Sequence, residues 1–274
     1  MTERLVRVGD VDLCLETFGS PSDPTVLLIH GACASMLWWP RAFCIALAAR
    51  GRHVVRYDSR DTGRSTHYPP GRPPYSLRDL ADDAVGLLDA LSVPEAHVVG
   101  RSLGGGVAMT AALDHPGRVA TLTLMSTTTG ADDLPPMSAG FLSRPTSDDP
   151  VDDIVLLMHA FAGSSPFFDA AAIRRLAAAD VARTACLEAA LTNHFVMRID
   201  GPRAGTGPTD IAVPTLVVHG DVDPVHPLPH GEALAEAIPG ATLLVLTGTG
   251  HDLPPQRVGL VVDALVAHTS PDTV

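Results

Sequence analysis

One segment near the middle of the chain joins a strand directly to a helix through a glycine-rich turn. An apolar run at residues 96–99 leads into Gly-Arg-Ser-Leu-Gly at positions 100–104, and residues 105–114 can form a helix. Glycines two positions on either side of Ser102 let the two backbones pass closely, so the serine hydroxyl stands on a sharp turn above the sheet. The five-residue pattern is weak alone, but this context is the one that a serine nucleophile requires. The alternative is a turn that only packs helix on strand.

Apolar runs and helical patterns alternate along most of the chain. Strands are predicted at residues 5–8, 11–17, 25–30, 53–57, 96–99, 119–125, 215–219 and 242–246. Helices with apolar residues at helical spacing are predicted at residues 42–49, 77–91, 105–113, 229–238 and 258–268. This order predicts right-handed crossovers and an α/β fold, with a mostly parallel eight-stranded sheet flanked by helices and an antiparallel hairpin at its start.

The alternation stops between the sixth and seventh predicted strands. The segment there contains a Pro- and Asp-rich passage and predicted helices at residues 151–162 and 170–192. We therefore predict a core of residues 1–130 and 211–274, with a helical cap of residues 131–210 inserted after strand six. Apolar side chains of the cap either line a substrate pocket or form the cap's own core. They are Met137, Phe141, Met158, Phe161, Phe167, Phe168, Phe195 and Met197, and we favour Met137, Phe141, Phe161 and Phe195 for the pocket.

A serine hydroxyl also needs a base within hydrogen-bond reach and a carboxylate that orients the base. His251 lies in LTGTGHDLP, the loop after the last predicted strand, where it can reach Ser102. The loop after the seventh strand, HGDVDPVHP, offers two carboxylates. We predict Asp223 as the acid, because its Asp-Pro step breaks the chain where the loop must turn, and Asp221 as a turn-forming residue. Two alternative acids follow strand six, Asp132 and Asp133.

Two backbone N–H groups are predicted to form an oxyanion hole, which stabilises negative charge on a reacting carbonyl oxygen. The N–H of Leu103, directly after Ser102, supplies one donor. Ala32, in the loop IHGACAS after the third strand, is predicted to supply the other, and Gly31 allows that loop to approach closely. Cys33 beside it is predicted to be a wall residue and not a nucleophile.

The charge and the cysteine content exclude several classes of function. The chain has 31 acidic and 19 basic residues, and its net charge of −12 opposes phosphate backbones and anionic membranes, so nucleic acid and membrane partners are not expected. The four cysteines lack C-x-x-C spacing and the histidines lack an H-E-x-x-H pattern, so neither a disulfide framework nor a metal site is predicted. No apolar run has the length of a signal peptide or a membrane span, which predicts a soluble, cytoplasmic protein.

Several segments outside the predicted cap resemble a known family. They are RYDSRDTGRST at 56–66, AHVVGRSLG at 96–104, ALDHPGR at 112–118, VPTLVVHGDVDPVHPLPHGEALAEAIPGA at 213–241 and GTGHDLP at 248–254. In these segments the chain resembles α/β-hydrolase-fold serine esterases, and more narrowly the aclacinomycin methylesterase type of actinobacterial polyketide pathways. The resemblance implies triad roles for Ser102, Asp223 and His251, with Ala32 and Leu103 forming the oxyanion hole.

Arg101 departs from the pattern of this family, in which the residue before the nucleophile is more commonly neutral or a histidine. An arginine at this position either contacts a carboxylate or phenolate of the substrate or is held behind the turn by an acidic neighbour. We include Arg101 among the predicted pocket residues. The cap also departs from the family, because it is shorter and carries no matching segment.

Together these features predict a serine hydrolase that needs no cofactor and acts on a small molecule. The expected substrate is a carboxylic ester of an apolar, ring-containing compound, such as a polyketide or another secondary metabolite, cleaved through an acyl-enzyme. Lactone opening and C–C bond hydrolysis use the same triad and are kept as alternatives. A ligand sensor that retains the scaffold without turnover is a further alternative. The sequence leaves open a homodimer through the cap or the last helix.

Overall fold

The centre of the molecule is a sheet of eight strands. The computed structural model describes residues 3–203 and 205–270. The strands are β1 (Arg4–Val8), β2 (Val11–Phe18), β3 (Thr25–Ile29), β4 (His53–Tyr57), β5 (Ala96–Arg101), β6 (Val119–Met125), β7 (Thr215–Gly220) and β8 (Thr242–Leu246). Their order across the sheet is β1-β2-β4-β3-β5-β6-β7-β8. The first two pairings, β1 with β2 and β2 with β4, are antiparallel and the others are parallel, which confirms the predicted fold class.

Helices cover both faces of this sheet. They are α1 (Arg41–Ala48), α2 (Leu77–Ala90), α3 (Leu103–Asp114), α4 (Ala139–Leu142), α5 (Pro150–Ala162), α6 (Ala170–Arg183), α7 (Leu187–Val196), α8 (Pro229–Ala237) and α9 (Pro255–His268). Apolar residues of α2, α3 and α8 pack on one face, and those of α1 and α9 on the other. Successive residues of β3 alternate between the two clusters, with Leu27 and Ile29 in the first and Val26 and Leu28 in the second. The strand is therefore apolar throughout, because both of its faces are buried.

The described residues between β6 and β7 form α4 to α7 and no further strand of the sheet. Residues of α5 and α6 pack on Trp38, in the loop that follows β3, and make a third apolar cluster with Ile154, Met158 and Ala177. Met158 and the partly buried Phe168, both considered above for the pocket, belong to this cluster. These helices thus pack over the loops at the carboxyl ends of the strands. The division into a core and a cap domain stays a prediction.

The single helix predicted over residues 170–192 is two helices in the structure. The backbone of Thr184 is extended, with φ −75° and ψ 122°. The N–H of Ala185 donates to the carbonyl oxygen of Gly63 at 2.9 Å. This contact with the core holds the chain between α6 and α7 in a non-helical conformation. The helix therefore ends at Arg183, and α7 begins separately at Leu187.

Candidate active site

Ser102 lies on a sharp turn between β5 and α3. Its φ of 52° and ψ of −122° fall in a region that residues other than glycine rarely adopt. The turn is held by Ser102 N, which donates to the carbonyl oxygen of Met125 at 2.9 Å, and by Thr127 Oγ1, which donates to the carbonyl oxygen of Ser102 at 2.8 Å. A Cβ at Gly104 would lie 2.5 Å from the carbonyl oxygen of Ile29. Only glycine therefore allows α3 to begin this close to β3, and the turn brings the serine hydroxyl to the carboxyl edge of the sheet.

His251, in the loop after β8, lies next to the serine hydroxyl. Ser102 Oγ is 3.0 Å from His251 Nε2, and His251 Nδ1 is 2.8 Å from Asp223 Oδ2. A carboxylate only accepts hydrogen bonds, so the proton of the neutral imidazole lies on Nδ1 and Nε2 is free to accept from the serine. His251 is 3% exposed. The arrangement is that of a serine beside a base that a buried carboxylate orients.

Both peptide groups of His251 are held as well as its ring. The N–H of His251 donates to the carbonyl oxygen of Phe161, near the end of α5, at 2.8 Å. The carbonyl oxygen of His251 accepts from Arg101 Nη2 at 2.7 Å. The ring of Phe161 also lies 5.0 Å from the imidazole, between centroids. These contacts fix the loop on both sides of the imidazole and restrict its rotation.

Asp223 follows β7 and divides its hydrogen bonds between its two oxygens. Oδ1 accepts from the N–H groups of Val225 at 2.8 Å and His226 at 3.0 Å, which leaves Oδ2 for the imidazole. Burial by itself raises the pKa of Asp223, but the charge and hydrogen bond of His251 outweigh burial and hold the pKa below its ordinary value. The carboxyl group is therefore ionised at neutral pH.

The other carboxylates considered as the acid have different surroundings. Asp221 Oδ1 accepts from the N–H of Gly248, in the loop after β8, at 2.6 Å. The carboxylate therefore joins two loops, where a turn contact within its own loop was predicted. Asp132 and Asp133 are exposed in the segment after β6. Of these four carboxylates, that of Asp223 is hydrogen-bonded to the imidazole of His251.

The predicted oxyanion donors lie on two segments that meet at Ser102. Leu103 is the first residue of α3. Gly31, in the loop after β3, passes over the serine, because a Cβ at this position would be 3.1 Å from Ser102 Cβ and 3.6 Å from its Oγ. Ala32 is the next residue of the same segment. The structure thus brings both segments to the reacting hydroxyl, and the donor roles of Ala32 and Leu103 stay predictions.

Cys33, which follows in this loop, is unsuited to be a nucleophile. Burial raises the pKa of its thiol to about 12, so the thiolate is scarce at neutral pH. Its backbone lies in the left-handed region with φ 62°. The N–H of Cys33 donates to Nδ1 of His194, a residue of α7, at 3.1 Å. No local pattern in the sequence connects these two residues, 161 positions apart, so sequence reasoning missed His194.

Arg101 lies behind the turn and not on the wall of a pocket. The residue is 6% exposed, and its guanidinium donates to the backbone of His251. Asp252 is its acidic neighbour: burial raises the pKa of this carboxyl, and the charge of Arg101 opposes the rise. The prediction of Arg101 as a substrate contact is corrected accordingly, because the last residue of β5 directs its side chain under the loop that carries His251.

Two stacked phenylalanines form an apolar wall beside the imidazole. Phe161 contacts His251, and Phe141 stacks on Phe161 with centroids 5.3 Å apart and an interplanar angle of 11°. Met137 is 41% exposed, and Phe195 is 71% exposed on α7, which differs from the prediction of Phe195 as a pocket residue. The buried face of α7 is formed instead by Ala189, Ala190, Asn193 and His194.

Phe141 also lines a cavity of about 320 Å³. Residues of α4 and α5 line it together with Pro224, the neighbour of Asp223. Ser102, His251 and Asp223 themselves do not line it. The cavity is therefore adjacent to the site but separate from the reacting atoms.

His226 is a second imidazole beside His251 that sequence reasoning did not assign to the site. The two ring centroids are 5.6 Å apart. Burial, with the nearby charge of His251, lowers the pKa of His226 to about 3, so this ring is neutral. The sequence feature that could have pointed to His226 is its position three residues after Asp223. Within the described residues, no group of three or more His, Cys, Asp or Glu side chains is arranged to hold a metal ion.

The chain is similar to known proteins in sequence and in fold. The profile of the alpha/beta hydrolase fold matches residues 24–257. The chain is 34% identical over 301 aligned residues to rhodomycin D methylesterase DauP of Streptomyces sp. (strain C5), and 32% identical to rhodomycin D methylesterase DnrP of Streptomyces peucetius, with 100% of both partners covered in each case. Among solved structures, a meta-cleavage product hydrolase from Pseudomonas fluorescens IP01 superposes with a TM-score of 0.76, covering 96% of each chain at 21% identity.

Proposed function

The chain belongs to the α/β-hydrolase fold family, and on that premise we propose that it is a serine esterase that hydrolyses a carboxylic ester of an apolar, ring-containing small molecule. The observation that carries the proposal is the continuous hydrogen-bonded line from Ser102 through His251 to Asp223. Each member has the partner that its role requires: the hydroxyl has a base, the base has a carboxylate, and the carboxylate has backbone donors.

In the proposed reaction Ser102 Oγ attacks the ester carbonyl carbon while its proton passes to His251 Nε2. The imidazolium, stabilised by Asp223, returns this proton to the leaving alcohol as the ester C–O bond breaks, and the acyl group remains on Oγ. A water molecule then repeats the sequence: it gives a proton to Nε2, attacks the acyl carbon and releases the carboxylic acid. Serine recovers its proton from His251, so the enzyme ends the cycle unchanged and no cofactor is consumed.

The N–H groups of Ala32 and Leu103 are the proposed donors to the oxygen that becomes negative during both attacks. Loss of one such donor costs about a hundredfold or more in rate. The close passage of Gly31 over Ser102 supports this assignment, because it brings the segment that contains Ala32 next to the serine hydroxyl.

The proposed substrate class is a methyl ester, or another small ester, on an apolar ring system. DauP and DnrP are by name rhodomycin D methylesterases, and the similarity to each extends over the whole chain. The stacked Phe141 and Phe161 next to His251 offer a flat apolar surface on which a ring can pack. The neutral imidazole of His226, with its ring centroid 5.6 Å from that of His251, adds one polar group beside His251.

The cap and the cellular setting are part of the same proposal. Residues 131–210 would act as the cap that covers the ester, supported by the packing of α5 and α6 on Trp38. Cys14, Cys33, Cys44 and Cys186 are all free thiols, which supports a reducing cytoplasmic compartment. The net charge of −12 supports a small-molecule substrate over nucleic acid. No helix within the described ranges has the length and apolar content of a membrane span.

The first experiment is acylation of the purified protein by a fluorophosphonate, read by intact mass. One adduct on the wild type and none on Ser102→Ala is the expected result, because only an activated serine reacts. The second is hydrolysis of methyl esters of polycyclic aromatic acids, followed by release of methanol, with Ser102→Ala as control. A well-folded wild type that forms no adduct and releases no methanol, yet binds such esters, would overturn the proposal in favour of a ligand sensor.

A further inference from the structure

His194 joins α7 to two segments of the core through both nitrogens of its ring. Nδ1 accepts from the N–H of Cys33 at 3.1 Å, and Nε2 lies 2.9 Å from the carbonyl oxygen of Arg60. The residue is 5% exposed. It is therefore a buried polar side chain whose partners are both backbone groups, which is the arrangement expected of a residue that holds chain segments in place.

The two partners determine the form of the imidazole. A backbone N–H only donates and a carbonyl oxygen only accepts, so Nδ1 is unprotonated and Nε2 carries the proton. Both ring nitrogens are then satisfied in the neutral tautomer. Burial also lowers the pKa of His194, which keeps this tautomer at neutral pH.

The segment that His194 holds is the loop that passes over the serine. Cys33 follows Ala32 directly, and its φ of 62° is uncommon for a residue with a side chain. Such a conformation persists where the surroundings fix it. The hydrogen bond from Cys33 N fixes the plane of the peptide between Ala32 and Cys33, and with it the direction of the loop over Ser102.

A second helix of the same region holds the other end of this loop. Asp180, on α6, accepts from the hydroxyl of Ser35 and, at 2.7 Å, from Nε1 of Trp38. The core contributes Asp58, whose Oδ1 accepts from the N–H of Met36 at 2.8 Å. The loop is thus hydrogen-bonded to α7 at Cys33 and to α6 at Ser35 and Trp38. The bond to His194 is the one next to Ala32, the predicted oxyanion donor.

We propose that His194 is a positioning residue of the reaction: by holding the N–H of Cys33 it keeps the N–H of Ala32 directed at the oxygen of the tetrahedral intermediate. This inference rests on the proposed esterase function, because it concerns the oxyanion hole of that reaction. It makes the oxyanion hole depend on a side chain of the helices between β6 and β7 and not on the core alone.

Two substitutions separate the hydrogen bonds of His194. The amide oxygen of asparagine is as far from Cβ, counted in bonds, as Nδ1 of histidine, so His194→Asn retains an acceptor for Cys33. Glutamine places its amide at the position of Nε2, so His194→Gln retains the donor to Arg60 and leaves the N–H of Cys33 without its acceptor. The matched control is His53→Gln, which removes another buried imidazole, bonded to Thr25 at the amino ends of β3 and β4.

The measurements are kcat and KM for the best ester, and amide hydrogen exchange of residues 31–38 by mass spectrometry. For His194→Gln we expect kcat to fall about ten- to a hundredfold with little change in KM. A misplaced oxyanion donor raises the free energy of the transition state much more than that of the bound substrate. Exchange in the loop becomes faster in the same variant. His194→Asn recovers most of the activity and the protection, and His53→Gln leaves both as in the wild type.

Two outcomes would overturn the inference. One is a His194→Gln protein with the kcat and loop protection of the wild type. The other is equal impairment of the Asn and Gln variants, which would assign the effect to packing or to the bond with Arg60. A wild type that neither turns over esters nor reacts with a fluorophosphonate would refute the proposed function instead, and the loop exchange would still decide whether His194 fixes the loop.

Discussion

Asp221 and Asp223 are two residues apart, yet their carboxylates have different partners. Asp221 accepts from the backbone of Gly248. Asp223 accepts from two backbone N–H groups through one oxygen and from His251 through the other. At the scale of single residues, the two carboxylates therefore differ in what they bind: Asp221 joins two loops through a backbone N–H, whereas Asp223 binds an imidazole.

Asp223→Asn tests this difference. The amide would present an N–H or a neutral oxygen to His251 Nδ1 and favour the wrong tautomer, so we expect kcat to fall about 10³- to 10⁴-fold while the fold is retained. Asp221→Asn, the matched control, should stay within about tenfold of the wild type, because the amide oxygen of asparagine can still accept from the N–H of Gly248. Steady-state kinetics measures kcat for both variants, and thermal unfolding shows whether each retains its fold. Equal losses in the two variants would contradict the assignment.

Arg101 allows a second test at this scale. Arg101→Met keeps much of the side-chain volume but removes the hydrogen bond to the carbonyl oxygen of His251. Since the guanidinium lies behind the turn, we expect kcat to fall about tenfold with KM nearly unchanged. The exposed Arg7 provides the control, Arg7→Met, in the same assay. A large rise in KM at constant kcat would place Arg101 in the pocket after all.

Sequence reasoning selected residues that carry a signal in their own segment. Ser102 has its strand-to-helix turn, and Asp223 and His251 have loops after apolar strands; the structure places these three within hydrogen-bond distance, and their catalytic roles remain proposals. His194 has no such signal, because its function depends on a partner that only tertiary packing brings near. The direction of a side chain such as Phe195 is likewise set by which face of α7 is buried.

At the scale of elements, α3 contains three consecutive glycines in different surroundings. A Cβ at Gly104 would lie 2.5 Å from the carbonyl oxygen of Ile29, and one at Gly105 would lie 2.6 Å from Thr127 Oγ1. A Cβ at Gly106 would meet nothing closer than Leu77 Cδ2 at 3.7 Å. The first two glycines are therefore required by close packing, whereas the third is not.

Gly104→Ala and Gly106→Ala form a matched pair on this helix. We expect Gly104→Ala to lose about 1–3 kcal/mol of unfolding free energy and most activity, because β3 cannot move without displacing the loop that follows it and passes over Ser102. Gly106→Ala should be neutral or gain up to about 1 kcal/mol, since alanine favours the helix and meets only ordinary contacts. Urea unfolding and ester hydrolysis measure the two effects. Equal stability of the two variants would count against the packing described for the turn.

The break between α6 and α7 depends on a tertiary contact that helical spacing in the sequence does not reveal. Helical spacing continues through residues 170–192, and nothing local stops the helix there. The chain turns because Ala185 N bonds to a carbonyl oxygen of the core, at Gly63. The sheet was more predictable, since strands buried on both faces are marked by continuous apolar runs.

For the whole molecule, buried histidines set the response to acid. Burial lowers the pKa of a group of imidazoles spread over the fold; for His97 the pKa falls to about 4. The others are His30, His53, His194, His219, His226 and His268. Each binds a proton less readily when folded than when unfolded, so the unfolded state takes up more protons as the pH falls below about 6.5.

We therefore expect the free energy of unfolding to be greatest above about pH 6.5 and to decrease on acidification, by up to about 1.4 kcal/mol per pH unit for each such histidine, until its folded pKa is passed. The lowered pKa of Asp223 adds a further loss below about pH 4, because stability from a depressed carboxyl pKa disappears as that group is protonated. Urea unfolding at pH 7.5, 6 and 5 tests the trend. In His97→Gln the free energy of unfolding should decrease less steeply with falling pH than in the wild type. A wild-type free energy of unfolding that does not change over this range would refute the account.

The bond between His251 N and the carbonyl oxygen of Phe161 has a consequence for the design of chimeras. If the segment between β6 and β7 is replaced by that of a relative to change the substrate, the new segment must present a carbonyl oxygen at that place, or His251 loses one of its hydrogen bonds. It must also leave room beside Gly250, where a Cβ would lie 2.5 Å from the carbonyl oxygen of Ala162. The boundary of the exchanged segment that preserves the contacts of His251 therefore lies before Phe161, so that the end of α5 is kept together with the loop that it contacts.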